Sequence, residues 1–333
     1  MATIRDVSKL AGVSVATVSR VLNQKGYVHE DTVQKVHKAI EMLKYVPNDV
    51  ARSLSKKSTK TIALFVPDIT NPFFNELALA VEKVTQMYGY TTILCNTNES
   101  SKIERQYIQT LKQKYIDGFL MASNTLSEDE IEQLQVPMVA VDRVSSPSVP
   151  TVSSKNREGA HLAVQALLQQ GCTKIAHIRG PKGIWIAEER CQGYLDLVED
   201  LPWFTPKLVV NGNFQLKAAI EAVNKLFDAH PDIDGIFAGN DMMAIGALRA
   251  LQERGIRVPD QVQIIGYDGI PLAEMVYPEL STVSQPIYEM GMLAARILIK
   301  KIEQQPLDEV NHKLEVELIQ RGTTRQQKQP WLD

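Results

Sequence analysis

The chain has 333 residues, of which 44% are hydrophobic and 23% charged, and its formal net charge is −3. This is ordinary globular composition, with apolar material for a substantial core and length for two or three domains. Cys95, Cys172 and Cys191 lie scattered without CxxC spacing, which argues against a disulfide framework or a zinc site. No run approaches the ~18 apolar residues of a membrane span, and the opening Met-Ala-Thr-Ile-Arg-Asp has no apolar signal segment, so a cytoplasmic protein is expected.

The charge is unevenly spread. Residues 1–60 hold 11 Lys and Arg against 5 Asp and Glu, net +6, which leaves 25 against 34, net −9, for the remainder. A basic head on an acidic body points to a polyanionic partner for the head alone.

Residues 1–46 read as three short helices. Thr3 stands three residues ahead of Asp6, a capping-box start, and Ile4, Val7 and Leu10 then fall on one face. Gly12 supplies the tight turn, Ser14 caps the next helix, and Val18, Val21 and Leu22 face inward. A third helix follows with Val33, Val36, Ile40 and Leu43 inside and Lys35, Lys38 and Lys44 outside. Two short helices around a glycine turn, the second small and polar on its outer side, fit a DNA major groove. Arg20 can pair bidentately with guanine, and Val15 and Ala16 can pack on thymine methyls. Thr17, Ser19 and Asn23, with Thr3 and Ser14, are the candidate backbone contacts.

Residues 47–60 form a hinge or linker. Pro47 ends the preceding helix, and Asn48 or Asp49 can cap a new one over Val50–Leu54. Helices below about 12 residues are marginal alone, so this one is helical only in the right company. Arg52, Lys56, Lys57 and Lys60 suit a phosphate backbone, and Leu54 offers an apolar wedge. The plain alternative is a solvated linker whose lysines serve solubility.

From residue 61 to 325, short apolar strands alternate with amphipathic helices, the pattern of parallel sheets wrapped by helices. Strands are expected at Thr61–Pro67, Thr91–Asn96, Gly118–Ala122, Met138–Val141, Lys174–Arg179, Leu208–Val210, Gly235–Ala238 and Gln263–Tyr267. A break near Pro150–Ser154 separates two lobes. Helix Ile287–Glu303 and a late strand Leu314–Ile319 return the chain across them, and residues 326–333 form a polar tail. Ligands of open parallel sheets bind beyond the carboxyl ends of the strands. There stand Asn71, Phe73, Phe74, Asp142, Arg143, Arg190, Phe214, Asn240, Tyr267, Asp268 and Gln285. Carboxylates, arginines and carboxamides among aromatic rings suit a sugar, whose hydroxyls take bidentate hydrogen bonds and whose apolar faces stack on rings.

Three stretches carry a specific resemblance. Thr3-Ile4-Arg5-Asp6-Val7 and Ala11 through Asn23 resemble the head of the lac/galactose repressor family, and Val50-Ala51-Arg52-Ser53-Leu54 resembles its hinge helix. The resemblance implies an α plus α/β protein: a helix-turn-helix DNA-binding head, a hinge helix and a two-lobed periplasmic-binding-protein-like α/β sensor. It implies base reading by Val15, Ala16 and Arg20, and insertion of Leu54 into the minor groove. Residues 61–325 are similar to the family's sensor and, more narrowly, to its ribose-binding branch, which implies D-ribose as effector. Tyr267 departs from that branch's phenylalanine, and Ile184-Trp185-Ile186 is also unlike it. The family's near-palindromic operators imply a homodimer associated with the nucleoid. Helix Glu76–Tyr88, with Leu77, Leu79, Ala80, Val81 and Val84, is either a dimer contact or core. Arg296 aligns with an arginine that catabolite-control relatives use on a seryl-phosphorylated phosphocarrier. Another pentose or hexose, and a phosphocarrier corepressor, remain open.

No catalytic set is present: GxxxxGK[ST], HExxH and GxSxG are all missing, and the six histidines are isolated. Asp142 and Asp268 as a glycosidase pair are argued against by neighbouring arginines, which favour the ionised form of both. His177, inside an apolar strand, is expected to be a satisfied core histidine. The expectation is a sugar-responsive repressor that is not an enzyme.

Overall fold

The computed structural model describes residues 2–23, 26–45, 58–123, 125–142 and 149–325. It divides into two compact units, Met1–Thr59 and Lys60–Asp333. The expected hinge helix, with Arg52, Leu54 and Lys57, lies outside the described residues, as do Arg143 and the tail 326–333.

The first unit is three helices: α1 (Ile4–Ala11), α2 (Val15–Asn23) and α3 (Glu30–Leu43). Thr3 caps α1 in a reciprocal box, its hydroxyl and amide both donating to the Asp6 carboxylate at 2.7 and 2.8 Å. Gly12 ends α1 at φ +66°, a left-handed position where a Cβ costs energy. Val7, Ala11, Val18, Val21, Val36 and Ala39 close a small core.

The second unit holds two six-stranded sheets. The first runs β11-β5-β4-β3-β1-β2, built from β1 (Thr61–Val66), β2 (Thr91–Asn96), β3 (Gly118–Met121), β4 (Met138–Val141), β5 (Thr151–Ser154) and β11 (Asn311–Leu314), all parallel. The second runs β12-β10-β9-β8-β6-β7, from β6 (Ile175–Arg179), β7 (Val209–Asn211), β8 (Gly235–Ala238), β9 (Gln263–Asp268), β10 (Ser281–Ser284) and β12 (Glu317–Ile319); only β12 is antiparallel. Both are covered on two faces. In β1, Ile62, Leu64 and Val66 join one core and Ala63 and Phe65 the other, the two-residue period of a strand buried on both sides. Each fully buried aliphatic side chain of this kind contributes roughly 1.5–3 kcal/mol.

The helices of the first lobe are α4 (Pro72–Met87), α5 (Ser101–Gln113) and α6 (Glu128–Glu132); those of the second are α7 (Asn156–Gln169), α8 (Trp185–Val198), α9 (Leu216–Ala229), α10 (Asp241–Glu253) and α11 (Leu272–Met275). The last helix, α12 (Ile287–Ile302), returns to pack on α4, β3 and β4 of the first lobe. The stretch read as a break, Pro150–Ser154, contains β5, which pairs in parallel with β4 and β11 in the first sheet. The late strand Leu314–Ile319 is in fact two short strands, β11 and β12, one in each sheet. The chain therefore crosses between lobes three times: after β5, after β10 and between β11 and β12.

In α4, Leu77, Ala80, Val81 and Val84 are core residues, whereas Leu79 is 59% exposed. Met87 and Tyr88 are exposed beside it. Cys95, Cys172 and Cys191 are free and buried, and burial pushes the Cys95 thiol up to about 11. No helix among the described residues is long and apolar enough to cross a membrane.

Candidate functional site

In the head, Ser14 accepts a hydrogen bond from the Thr17 amide at 3.1 Å and starts α2. Val15, Ala16 and Arg20 are exposed on that helix, Val15 at 39%. Thr17, Ser19 and Asn23 are half-buried. Asn23 Nδ2 donates to the Ser19 carbonyl at 2.7 Å and to its hydroxyl at 3.2 Å, so this pair braces the end of α2. Lys35, Lys38 and Lys44 project from α3. The outer face of α2 is thus small, apolar and cationic.

The second unit holds a cleft of about 630 Å³, part of it open to solvent, at the carboxyl ends of both sheets. Eight predicted residues meet there: Asn71, Phe73, Phe74, Asp142, Arg190, Phe214, Asn240 and Asp268 line it from both lobes. Asn71 and Asn240 are helix N-caps, accepting from the amides of Phe73 and Met243 at 3.1 and 2.9 Å. Their side-chain oxygens are committed to the backbone, which leaves the NH2 ends as donors for a ligand, although that of Asn240 also donates to the Phe214 carbonyl at 3.4 Å. Phe73 and Phe74 meet edge to face, centroids 5.0 Å apart. A Cβ on Gly180 would stand 2.3 Å from the Phe214 ring, so the bare backbone there is what admits that ring.

Arg190 is the centre of the polar floor and is only 2% exposed. Its Nε donates to Asn156 Oδ1 at 2.8 Å, and its Nη1 donates to the Gly239 carbonyl at 2.7 Å and to Asp268 Oδ1 at 3.3 Å. Nη2 stands 3.8 Å from Asp142 Oδ2 of the other lobe. Burial raises the Asp268 carboxyl well above its ordinary range; Arg190 opposes the rise, while Asp241 and Asp142 add to it. Asp241, buried beneath, is pushed up to about 7 by burial although Thr282 and the Gly269 and Ile270 amides donate to it. The arginine expected to favour the ionised form of Asp268 is present, but desolvation of the enclosed carboxyl acts against it and is the larger effect.

Two predicted residues stand behind the cleft instead of in it. Tyr267 is buried under Arg190, the guanidinium 3.8 Å from its ring centroid, because alternation along β9 turns it with Ile265 into the apolar core. Gln285 backs Asp268, donating from Nε2 to Oδ1 at 2.8 Å. Ile186 lines the wall, whereas Trp185 turns its ring toward Lys313. Arg296 is exposed on α12. His177 is buried, stacks between Tyr194 and Phe237, and bonds through Nδ1 to the Phe237 carbonyl at 2.9 Å.

Asp68, Glu99, Asn213 and Gln215 also line the cleft and were not anticipated. A signal was present. Asn96-Thr97-Asn98-Glu99 begins on the last residue of β2 and Asn211-Gly212-Asn213-Phe214 on the last residue of β7, each strand at the edge of its sheet. The last two residues of both are left-handed, at φ 51° and 55° and at 52° and 57°, which aims Glu99 and Phe214 into the same cleft. Among the described residues no group of His, Cys, Asp and Glu could hold a metal.

A helix-turn-helix head and a two-lobed cleft with a polar floor and aromatic walls define a ligand-responsive DNA-binding regulator. Residues 3–48 match the bacterial regulatory proteins of the lacI family, and residues 59–322 match the periplasmic binding proteins and sugar binding domain of the LacI family. The chain belongs to the LacI family: it is a sugar-responsive transcriptional repressor, not an enzyme. It is 50% identical over 325 residues to a ribose operon repressor of Halalkalibacterium halodurans, covering 98% of each chain. It is similar to the Lac repressor dimer bound to operator and an anti-inducer, with TM-score 0.85 and 25% identity over 97% of this chain and 99% of that one. A LacI-family regulator from Enterococcus faecium with bound ribose matches at TM-score 0.70 and 30% identity, covering 79% of this chain and 98% of that one.

Proposed function

We propose that this protein represses genes of ribose uptake or use, binding a near-palindromic operator as a homodimer and leaving it when D-ribose enters the cleft. The observation that carries the sugar is the floor between the lobes. Arg190 faces Asp142 across the cleft, Asp268 lies beside it, and Phe73, Phe74 and Phe214 stand around them. The carboxyl groups of Asp142 and Asp268 and the Arg190 guanidinium take vicinal hydroxyls in bidentate fashion, and the rings cover the apolar faces of a furanose or pyranose. The similarity to ribose operon repressors and to a ribose-bound regulator supports this choice among sugars. Val15, Ala16 and Arg20 would read bases, while Thr3, Ser14, Thr17, Ser19 and Asn23 sit along the backbone side.

The response follows from linkage. Ribose bridges Asp142 of one lobe and Arg190 of the other, which favours the closed lobes, and it weakens operator binding by its differential affinity for that state.

A thermal-shift panel of sugars on the purified protein tests the reading, followed by operator anisotropy with whichever sugar binds. At about 100 times its dissociation constant ribose should stabilise by roughly 2.7 kcal/mol, and it should release labelled operator. A shift with a different sugar alone, or operator binding strengthened by ribose, would overturn the respective part of the proposal.

A further inference from the structure

The three residues at which the chain first leaves one lobe for the other each hold a different part of the sensor. Ser154 Oγ donates to Gln285 Oε1 at 2.6 Å, joining the first crossing to the second. The Lys155 amide donates to the Leu314 carbonyl at 2.9 Å and its ammonium pairs with Glu315, joining the first crossing to the third. Asn156 Oδ1 accepts from Arg190 Nε at 2.8 Å, and its Nδ2 donates to the Ser154 carbonyl at 3.0 Å.

These bonds close a ring. From Ser154 it runs to Gln285, from Gln285 Nε2 to Asp268 at 2.8 Å, from Asp268 to Arg190 Nη1 at 3.3 Å, and through Asn156 back to Ser154. All five members are at most 5% exposed, so water cannot replace a missing partner without rearrangement. The Ser154 hydroxyl occupies the carbonyl end of the Gln285 amide and thereby turns its NH2 toward Asp268. Asn156 fixes the guanidinium by its Nε edge and so aims Nη2 at Asp142.

We propose that Ser154 and Asn156 are positioning residues of the sugar site: acting through Gln285 and Arg190, they hold Asp268 and the guanidinium in register and make sugar affinity depend on the first crossing segment. The inference rests on ribose binding in this cleft. It also ties the pocket to the segments that must bend when the lobes move, because the same tripeptide is bonded to both other crossings.

The test is calorimetric titration of D-ribose into the full chain as wild type, S154A, Q285A, the S154A/Q285A double variant and N156A. S154A and Q285A should each weaken ribose about tenfold, and the double variant no more than either, because both break one link. N156A should weaken it at least about tenfold, the scale of a lost bond to a charged group. Wild-type binding with S154A within about twofold, or single effects that multiply in the double variant to about a hundredfold, overturns the inference alone. If S154A does not fold, N156A within about twofold of wild type overturns it equally. Absence of ribose binding in the wild type overturns the ribose reading and this inference with it. A merely structural role would lower the unliganded melting temperature and leave ribose affinity unchanged.

Discussion

The guanidinium of Arg190 lies over the buried ring of Tyr267, 3.8 Å from its centroid, with the phenol oxygen 3.4 Å from the Lys155 carbonyl. The ring is a platform for the arginine and makes no part of the cleft wall. Y267F keeps the platform and should hold ribose affinity within about twofold. Y267L removes the π face and should weaken ribose about thirtyfold, as a desolvated cation–π contact of about 2 kcal/mol implies. Calorimetry on both variants decides it, and equal losses in the two would assign the effect to the hydroxyl.

Arg190 uses Nε and Nη1 on protein partners and offers Nη2 to the other lobe. Lysine carries its three donors on a single nitrogen and cannot span the positions that Nε, Nη1 and Nη2 occupy in the planar fork. R190K should therefore lose ribose about as severely as R190A, more than about a hundredfold, if truncating a buried charge partner costs ~3 kcal/mol or more. Both variants should still bind operator and fail to release it. Release of R190A by ribose would place the sugar elsewhere.

Burial lowers the folded-state pKa of His177 from 6.5 to about 3. Between those values the unfolded chain binds the proton and the folded one does not, so this group's contribution to stability is present above about pH 6.5 and is lost as pH falls toward 3. Asp241, raised to about 7, acts oppositely and loses stability as pH rises from its ordinary 3.8. The difference between wild type and H177F isolates the histidine. Urea midpoints from pH 4 to 7 should fall more steeply with acid in the wild type than in H177F; parallel curves would refute the assignment.

The head carries net +6 over residues 1–60, so operator affinity should fall steeply with salt. R20A should cost about 1–3 kcal/mol at a guanine of the operator and relax the preference there, with little change in salt slope, since a base contact releases few counterions. L54A should weaken operator binding and leave ribose affinity unchanged. Anisotropy on matched and mismatched duplexes at several salt concentrations checks both variants.

The elements legible from sequence were those with strong local signals. Thr91–Asn96, Met138–Val141 and Gly235–Ala238 run as apolar or β-branched stretches and are the strands observed. β5 and β10 read Thr-Val-Ser-Ser and Ser-Thr-Val-Ser, hydroxyl-rich stretches that locally suit a turn as well as a strand. Tertiary partners make them strands. Thr282 donates to Asp241, and Ser281 is bonded to Thr323 and Thr324, so the hydroxyls are satisfied inside the protein.

The sequence by itself determined the two-part plan, the capped helices of the head, and the chemical identity of the cleft, because caps, glycine turns and residues following apolar strands are properties of neighbours along the chain. Tertiary structure decided which polar residues face the cleft and which stand behind it. Tyr267 and Gln285 carry suitable chemistry, yet the alternation of β9 and the return of the second crossing turn both toward Arg190 and Asp268. Ser154 and Gln285, 131 residues apart, share a bond that no local pattern announces. Only when the three crossings pack together does their burial make each polar partner necessary.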